Sequence, residues 1–218
     1  LILPEAKDYK RIGEGDTGLN TGGMGAVSPV PFATKEFMKK VEERVIIPTI
    51  NGLKSDNIDY KGFIFIGLMN CNSDPYVIEY NVRMGDPETE AVMTRIESDL
   101  LQHLVSAAKG ELASEKIEIS EDQALTVIAV SGGYPESNDK GFEIKGLESI
   151  TNETLFHSGT KEIDGKICTS GGRVLAITAK GNDIFEAKKR CFEEVSKISF
   201  DKMYYRRDIG DDLISLSK

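Results

Sequence analysis

Two strand-like runs follow one another in the first half of the chain. The run 62–69 is apolar almost throughout, and the run 76–83 alternates apolar and polar side chains. Residues 70–75 between them are turn formers, so the pattern predicts an antiparallel hairpin.

The second run carries polar side chains suited to metal binding. Because side chains alternate along a strand, Glu79, Asn81 and Arg83 share one face. Carboxylate and amide oxygens are hard ligands that suit Mg²⁺ held together with substrate phosphates, and an arginine beside them can stabilise a transferring phosphoryl group. The alternative is the solvated polar face of an edge strand. The opposite face is apolar and is expected to belong to the core: Ile78, Tyr80 and Val82.

An acidic turn follows the second run. Asp86 and Glu88 flank Pro87 where the strand leads into a helix expected to span 87–109, with Gly110 as its stop. The two carboxylates are either capping residues, which helix N-termini favour, or ligands for an amine.

A glycine-rich segment, 13–25, lies within a stretch, 4–31, that is expected to be irregular. Glycines let backbone N–H groups approach a ligand and form anion-binding nests. No lysine follows in the Walker arrangement, so the segment is not a P-loop. A flexible connector is the alternative interpretation.

The remaining pattern predicts a second, α+β unit beyond a charged boundary at 111–122. Before the boundary, Thr34 is expected to cap a helix that Pro48 bends or ends. After it, Asn182 is expected to cap a helix, and Arg173 follows a polar loop where it could bind a phosphate. Between the charged boundary and Asn182, the pattern predicts short strands at 124–131, 141–144, 154–158, 166–169 and 173–179.

Composition limits the classes of partner. The chain of 218 residues has a formal net charge of −9, which argues against nucleic-acid binding. No apolar run is long enough to span a membrane, and three widely spaced cysteines fit the reducing cytoplasm. The chain starts at Leu1 without a methionine.

The ordered motifs resemble the phosphoribosylamine–glycine ligase family, ATP-grasp enzymes of purine synthesis. The resemblance spans essentially the whole chain. It rests on these segments: 10–11, 16–18, 20–25, 79–89, 131–135, 156–160, 170–175 and 207–210. Leu19 stands where the family usually has proline, Met84 where it has phenylalanine, and Glu90 where glutamine is common.

The resemblance implies an α+β fold. Residues 1–112 would form the C-terminal half of an ATP-grasp domain, an antiparallel sheet with helices, and 113–218 a small α+β C-terminal domain. The N-terminal lobes that hold the adenine and the ATP phosphates would precede Leu1, so the isolated chain is expected to be inactive.

The resemblance also implies a reaction, with Mg²⁺ or Mn²⁺ as cofactor. ATP would phosphorylate glycine to glycyl phosphate, and phosphoribosylamine would attack it to give glycinamide ribonucleotide, ADP and phosphate. Glu79 and Asn81 would hold the metal, and Arg83 would act on the transferring phosphoryl group. The remaining matched positions would contact glycine or the ribose phosphate: Asp16, Asn20, Thr21, Gly22, Gly23, Met24, Gly25, Asp86, Glu88 and Arg173.

Two alternatives remain at this point. One is another ATP-grasp carboxylate–amine ligase or a biotin-carboxylase-like enzyme, which would share the polar strand. The other is a non-catalytic module that binds a metal or a phosphate.

Overall fold

The computed structural model describes residues 1–216. It divides into two compact units that interleave along the chain. The hairpin unit comprises Leu1–Leu3, Pro31–Gly85 and Glu97–Glu118, and the sheet unit comprises Pro4–Val30, Asp86–Ile96 and the chain from Ile119 onward.

Short strands and helices alternate along the chain. The strands are β1 (Lys7–Asp8), β2 (Arg11–Gly13), β3 (Thr17–Asn20), β4 (Gly25–Ser28), β5 (Phe65–Cys71), β6 (Asp74–Asn81), β7 (Gln123–Val130), β8 (Thr154–His157), β9 (Thr160–Ile163), β10 (Lys166–Thr169) and β11 (Arg173–Gly181). The helices are α1 (Lys35–Val41), α2 (Ile47–Ser55), α3 (Glu88–Thr94), α4 (Leu100–Lys109), α5 (Ile184–Val195) and α6 (Asp211–Leu216).

In the hairpin unit, β5 and β6 pair in antiparallel fashion, as predicted. Helix α1 begins at the predicted cap, where the Thr34 hydroxyl accepts the Phe37 N–H at 3.2 Å. The helix does not end near Pro48. A π-helical turn, Glu42–Ile46, precedes it, and Pro48 takes the second position of α2. There, in the first turn, a missing N–H is tolerated.

The single helix expected over 87–109 is instead two helices. The chain leaves α3 at Arg95, and α4 begins anew where the Asp99 carboxylate accepts the Gln102 N–H at 3.1 Å. The apolar residues keep a helical period across 87–109, so the pattern does not reveal that Asp99 caps a new helix within that range. The predicted stop is confirmed, because Gly110 caps α4 in a left-handed conformation.

The sheet unit is built on a five-stranded sheet in the order β1-β4-β7-β11-β8. The pairs β1–β4, β4–β7, β7–β11 and β11–β8 are all antiparallel. Strands β7 and β11 are buried along most of their length, and α5 packs against both of them. The main hydrophobic core of the described residues lies between this sheet and α5.

Three local predictions for the sheet unit were wrong. The stretch 4–31 contains four strands, because its short runs pair with one another or with β7. Residues 141–144 form no named strand and contribute only the bridge of Glu143 to Cys168. The cap of α5 is Asp183, whose carboxylate accepts the Glu186 N–H at 2.7 Å. Asn182 instead donates its backbone N–H to the Glu186 carboxylate at 2.8 Å.

The α+β fold with largely antiparallel sheets is confirmed. The compact units do not follow the boundary expected near residue 112, since each unit takes segments from both sides of it. That boundary between family domains stays a prediction. No helix within residues 1–216 has both the length and the apolar character needed to cross a membrane.

Candidate active site

The polar face of β6 lies in the hairpin unit. Glu79 pairs across the hairpin with Gly67, and Asn81 pairs with Phe65. Glu79 is exposed and Asn81 is half-buried. Two side-chain oxygen donors, two residues apart on one strand, therefore project from the same face.

Arg83 lies beside these donors. Its guanidinium donates to the Asn81 amide oxygen at 3.2 Å and to the Met84 carbonyl at 3.0 Å. The Asn81 amide nitrogen is buried and makes no hydrogen bond. The carboxylate, amide oxygen and guanidinium expected on one face are present there, with the last two in contact.

Gly67 leaves room for the Glu79 side chain. A Cβ at position 67 would lie 3.0 Å from the Glu79 Cγ, closer than ordinary packing allows. A glycine inside an apolar strand run commonly marks such a close approach. The glycine within the apolar run 62–69 is a sequence signal for this close approach.

The opposite face of β6 is not part of the core, contrary to the prediction. Ile78 is 62% exposed and Val82 is 75% exposed in this chain. Tyr80 is half exposed, and its hydroxyl pairs with the Thr49 hydroxyl at 3.0 Å. Helices α1 and α2 of the hairpin unit contact β6, but they leave Ile78 and Val82 exposed.

The glycine loop lies in the sheet unit, and Thr21 shapes it. The Thr21 hydroxyl donates to the Lys10 carbonyl at 2.8 Å and accepts the Gly23 N–H at 2.9 Å. Asn20, the last residue of β3, is exposed. Of these two predicted contact residues, Asn20 is exposed, whereas Thr21 is half-buried and uses its hydroxyl within the loop.

Met24 and Gly25 do not fit the predicted contact role. Met24 has no exposed surface, its N–H donates to the Tyr9 carbonyl, and its own carbonyl accepts the Ile128 N–H. Gly25 is buried in β4, where a Cβ would lie 2.6 Å from the Thr126 carbonyl oxygen. Both residues join the loop to the sheet.

Gly22 is held at both of its backbone polar groups. Its N–H donates to the Tyr134 hydroxyl at 2.9 Å. Its carbonyl accepts from the Arg173 guanidinium at 2.9 Å. The same nitrogen of Arg173 donates to the Asp86 carbonyl at 2.9 Å and pairs with the Asp86 carboxylate at 3.0 Å.

Gly23 requires glycine for two reasons. Its φ of +122° is a conformation that side chains rarely adopt, and a Cβ would lie 2.3 Å from the Pro87 Cδ. The same Cβ would lie 2.8 Å from a carboxylate oxygen of Asp8. The loop therefore fits tightly against both the acidic turn and β1.

Three acidic side chains with little or no exposed surface lie near the contact between Gly23 and Pro87: Asp8, Glu88 and Glu90. Glu88 and Glu90 are each at least nine-tenths buried, and one oxygen of each makes no hydrogen bond. Burial raises the pKa of the Glu88 carboxyl, and the neighbouring Asp8 raises it further. Burial also raises the pKa of Asp8, although its ion pair with Lys10 opposes the change.

Asp16 is held by an ion pair. Its carboxylate pairs at 2.8 Å with Arg206, which is only 1% exposed. Arg206 also forms a two-pronged pair with Asp208 and donates to the Arg11 carbonyl. Asp16 thus anchors the turn between β2 and β3 to a buried arginine.

The donor set limits which metal would fit. Within residues 1–216, no group of three or more His, Cys, Asp or Glu side chains is arranged to hold a metal ion. Glu79 and Asn81 supply two hard oxygens, and the partly exposed site leaves space for other ligands. Two protein ligands suit a cation such as Mg²⁺, which keeps water and phosphate oxygens in the rest of its coordination shell.

Sequence patterns do not reveal several residues of these sites. Asp8, Tyr134 and Arg206 come from segments far apart in sequence, and only the folded chain brings them to the loop. The Gly-Gly-Tyr-Pro run at 132–135 is part of the family resemblance, but its sequence assigns no role to the tyrosine.

Two family models match the chain. The ATP-grasp (A) domain of phosphoribosylglycinamide synthetase matches residues 1–89, and the C domain of the same enzyme matches residues 124–212. A phosphoribosylamine–glycine ligase of Caldanaerobacter subterraneus is 43% identical over 210 residues, which are 96% of this chain and 50% of the relative. The chain therefore spans about half the length of this curated relative.

Solved structures agree with these matches. The crystal structure of phosphoribosylamine–glycine ligase from Thermotoga maritima superposes with a TM-score of 0.87 at 39% identity, over 95% of this chain and 51% of the other. The biotin carboxylase domain of a thermophilic 2-oxoglutarate carboxylase shares only the fold, at 13% identity and a TM-score of 0.63 over 92% of this chain and 44% of the other. Taken with the matched domains, these likenesses show that the chain belongs to the phosphoribosylglycinamide synthetase family of ATP-grasp proteins.

Proposed function

We propose that the protein to which this chain belongs ligates glycine to 5-phosphoribosylamine in purine synthesis. The products would be glycinamide ribonucleotide, ADP and phosphate, and glycyl phosphate would be the intermediate. The observation that carries the proposal is the face of β6, where Glu79 and Asn81 present two hard oxygens with Arg83 in contact. The family membership and the names of the relatives support the same reaction.

The residues of β6 would act on the ATP phosphates. Glu79 and Asn81 would hold Mg²⁺ or Mn²⁺, which supplies charge neutralisation at the phosphate oxygens. Arg83 would move from the Asn81 amide oxygen to the transferring phosphoryl group, where its charge is most useful in the transition state. The exposed position of the guanidinium supports such a movement, because few contacts would be lost.

The sheet unit would supply the groups that bind the acceptor substrates. Asn20 is exposed, and Asp86 retains one carboxylate oxygen that is not paired with Arg173. These groups suit the ammonium group of glycine or the hydroxyl groups of a ribose. Asp16, Thr21, Gly22, Gly23, Glu88 and Arg173 would shape the site around them.

Substituting Glu79 tests the proposal. Glu79→Gln in the full natural protein keeps the size of the side chain and removes the negative oxygen. We expect phosphate release that depends on ATP, glycine and phosphoribosylamine to fall on the order of 100-fold or more. Excess Mn²⁺ should restore part of the loss.

Glu162→Gln is the matched control, because Glu162 is an exposed carboxylate on β9. It should keep wild-type activity. An active Glu79→Gln protein would contradict the metal-binding role of β6. A wild-type protein without glycine-dependent phosphate release would contradict the reaction itself and favour another carboxylate substrate or a non-catalytic module.

The 218 residues alone are expected not to turn over, since relatives in the family are about twice as long. The partners in this proposal are small molecules, together with the remaining lobes of the same polypeptide, and neither nucleic acid nor membrane is among them. We place the protein in the cytoplasm, and its three unpaired cysteines support this choice.

A further inference from the structure

We propose that Tyr134 and Arg173 form a clamp that sets the position of Gly22 for substrate binding. Both would be positioning residues, and neither would bind phosphate. The inference rests on the proposed function only in treating the loop 20–23 as part of the acceptor site. Its structural basis is the pair of hydrogen bonds at Gly22.

Tyr134 is itself fixed in place. Its ring lies against Gly172, where a Cβ would come within 2.4 Å of the ring. The turn that carries it is tied to the same segment, because Ser131 donates its N–H to the Gly172 carbonyl and its hydroxyl to the Gly171 carbonyl, each at 2.8 Å. The Tyr134 hydroxyl therefore reaches Gly22 from a rigid support.

Arg173 holds the other side of Gly22. A Cβ on Gly22 would lie 3.0 Å from the guanidinium carbon, so the planar group packs directly on the glycine backbone. One nitrogen contacts the Gly22 carbonyl, the Asp86 carbonyl and the Asp86 carboxylate. With these partners, the guanidinium joins the loop to the acidic turn.

The clamp acts over long sequence distances. Tyr134 is 112 residues from Gly22, and Arg173 is 151 residues away. The next residue, Gly23, is wedged against Pro87 and Asp8. Fixing Gly22 therefore also sets how the loop meets the acidic turn, where the proposed function places acceptor binding.

Tyr134→Phe tests the clamp by removing one hydroxyl and little else. In the full natural protein we expect the Gly22 amide to exchange its hydrogen about three- to tenfold faster. The KM for glycine or for phosphoribosylamine should rise by a similar factor, while the KM for ATP stays unchanged. Tyr205→Phe is the matched control, because that ring packs on Phe192 with centroids 6.0 Å apart and plays no part in the clamp.

Arg173→Lys and the double variant separate positioning from direct binding. If both residues act on Gly22, the two substitutions should be non-additive in KM. Unchanged Gly22 exchange and unchanged KM in Tyr134→Phe would overturn the clamp. So would additive effects, since Arg173 would then act on its ligand directly. An inactive wild type would instead count against the proposed function, and the hydrogen-exchange result would still decide the clamp.

Discussion

Glu90 shows how a single residue in the interior can weaken the fold. Its carboxyl is buried at the start of α3, and one oxygen lacks a hydrogen-bond partner. Burial raises its pKa above the usual value of 4.5. An ionised carboxylate there costs folding free energy, because water solvates the charge better in the unfolded chain.

Glu90→Gln should therefore raise the midpoint of thermal unfolding near pH 7. A carboxyl with a raised folded pKa makes wild-type stability fall as pH rises from 4.5 through that pKa. The gain from glutamine should shrink as the pH falls toward 4.5, where wild type takes up its proton. Thermal unfolding at a series of pH values measures this difference. A gain that grows toward acid pH would contradict the assigned cause.

At the residue scale, alternation along a strand was enough to place Glu79, Asn81 and Arg83 on one face. The contact role that the family resemblance implied for Met24 does not fit its complete burial, because a glycine-rich run does not show which of its residues enters the core. Tyr134 could not be found either, since its partner is set by packing between segments that are far apart in sequence.

Among the elements, the β5–β6 hairpin depends on Gly67 for the geometry of its polar face. The glycine pairs with Glu79, and the register shifts by a bulge immediately after it. A methyl group at this position would press on the Glu79 Cγ. The hairpin would keep its pairing, and the flexible carboxylate would have to move.

Gly67→Ala should weaken metal binding more than it weakens the fold. We expect the concentration of Mg²⁺ needed for half-maximal activity of the full protein to rise about tenfold, the scale of a disturbed ligand orientation. Gly52→Ala in α2 is the control, since a Cβ there meets nothing within 4 Å. An equal effect of both substitutions would contradict the role of Gly67.

Element type was easier to predict than element boundaries. The hairpin and the cap at Thr34 follow from local chemistry, so the sequence predicts them directly. The break between α3 and α4 was hidden, because apolar residues continue the helical period across it while Asp99 caps a new helix. Pro48 had the opposite effect: it predicted a helix end where there is none. The preceding π-helical turn places Pro48 in the first turn of α2.

For the molecule as a whole, one surface feature with a consequence for solubility is the exposed apolar face on and beside β6. Ile78 and Val82 are largely exposed, and within residues 1–216 the β5–β6 sheet has two strands. Exposed apolar strands with free edges promote association between chains. The isolated 218-residue chain should therefore self-associate at micromolar concentration.

Ile78→Lys should lower this association several-fold, as measured by sedimentation or light scattering, because it places a charge on the apolar face. Phe185→Lys is a matched control, since Phe185 on α5 is 64% exposed and Ile78 is 62% exposed. A wild-type chain that stays monomeric, or an equal effect of both substitutions, would contradict the prediction.

At the scale of the whole molecule, the sequence predicts two α+β parts but does not show which segments each compact unit contains. The change in composition near 111–122 predicts a single domain boundary. Pairing between distant strands carries no such local signal, so the contribution of β1 and β4 to the later sheet could not be foreseen.

The order of the five-stranded sheet has a consequence for synthesis. Strand β4 pairs with β7, so Gly25 cannot form its pairing until Val127 has been synthesised, about 100 residues later. At ordinary translation rates that interval is roughly 5 to 20 seconds. A nascent chain paused near residue 112 would hold β4 without its central neighbour, so the free edge of β4 would be open to other chains or to chaperones during this stretch of translation.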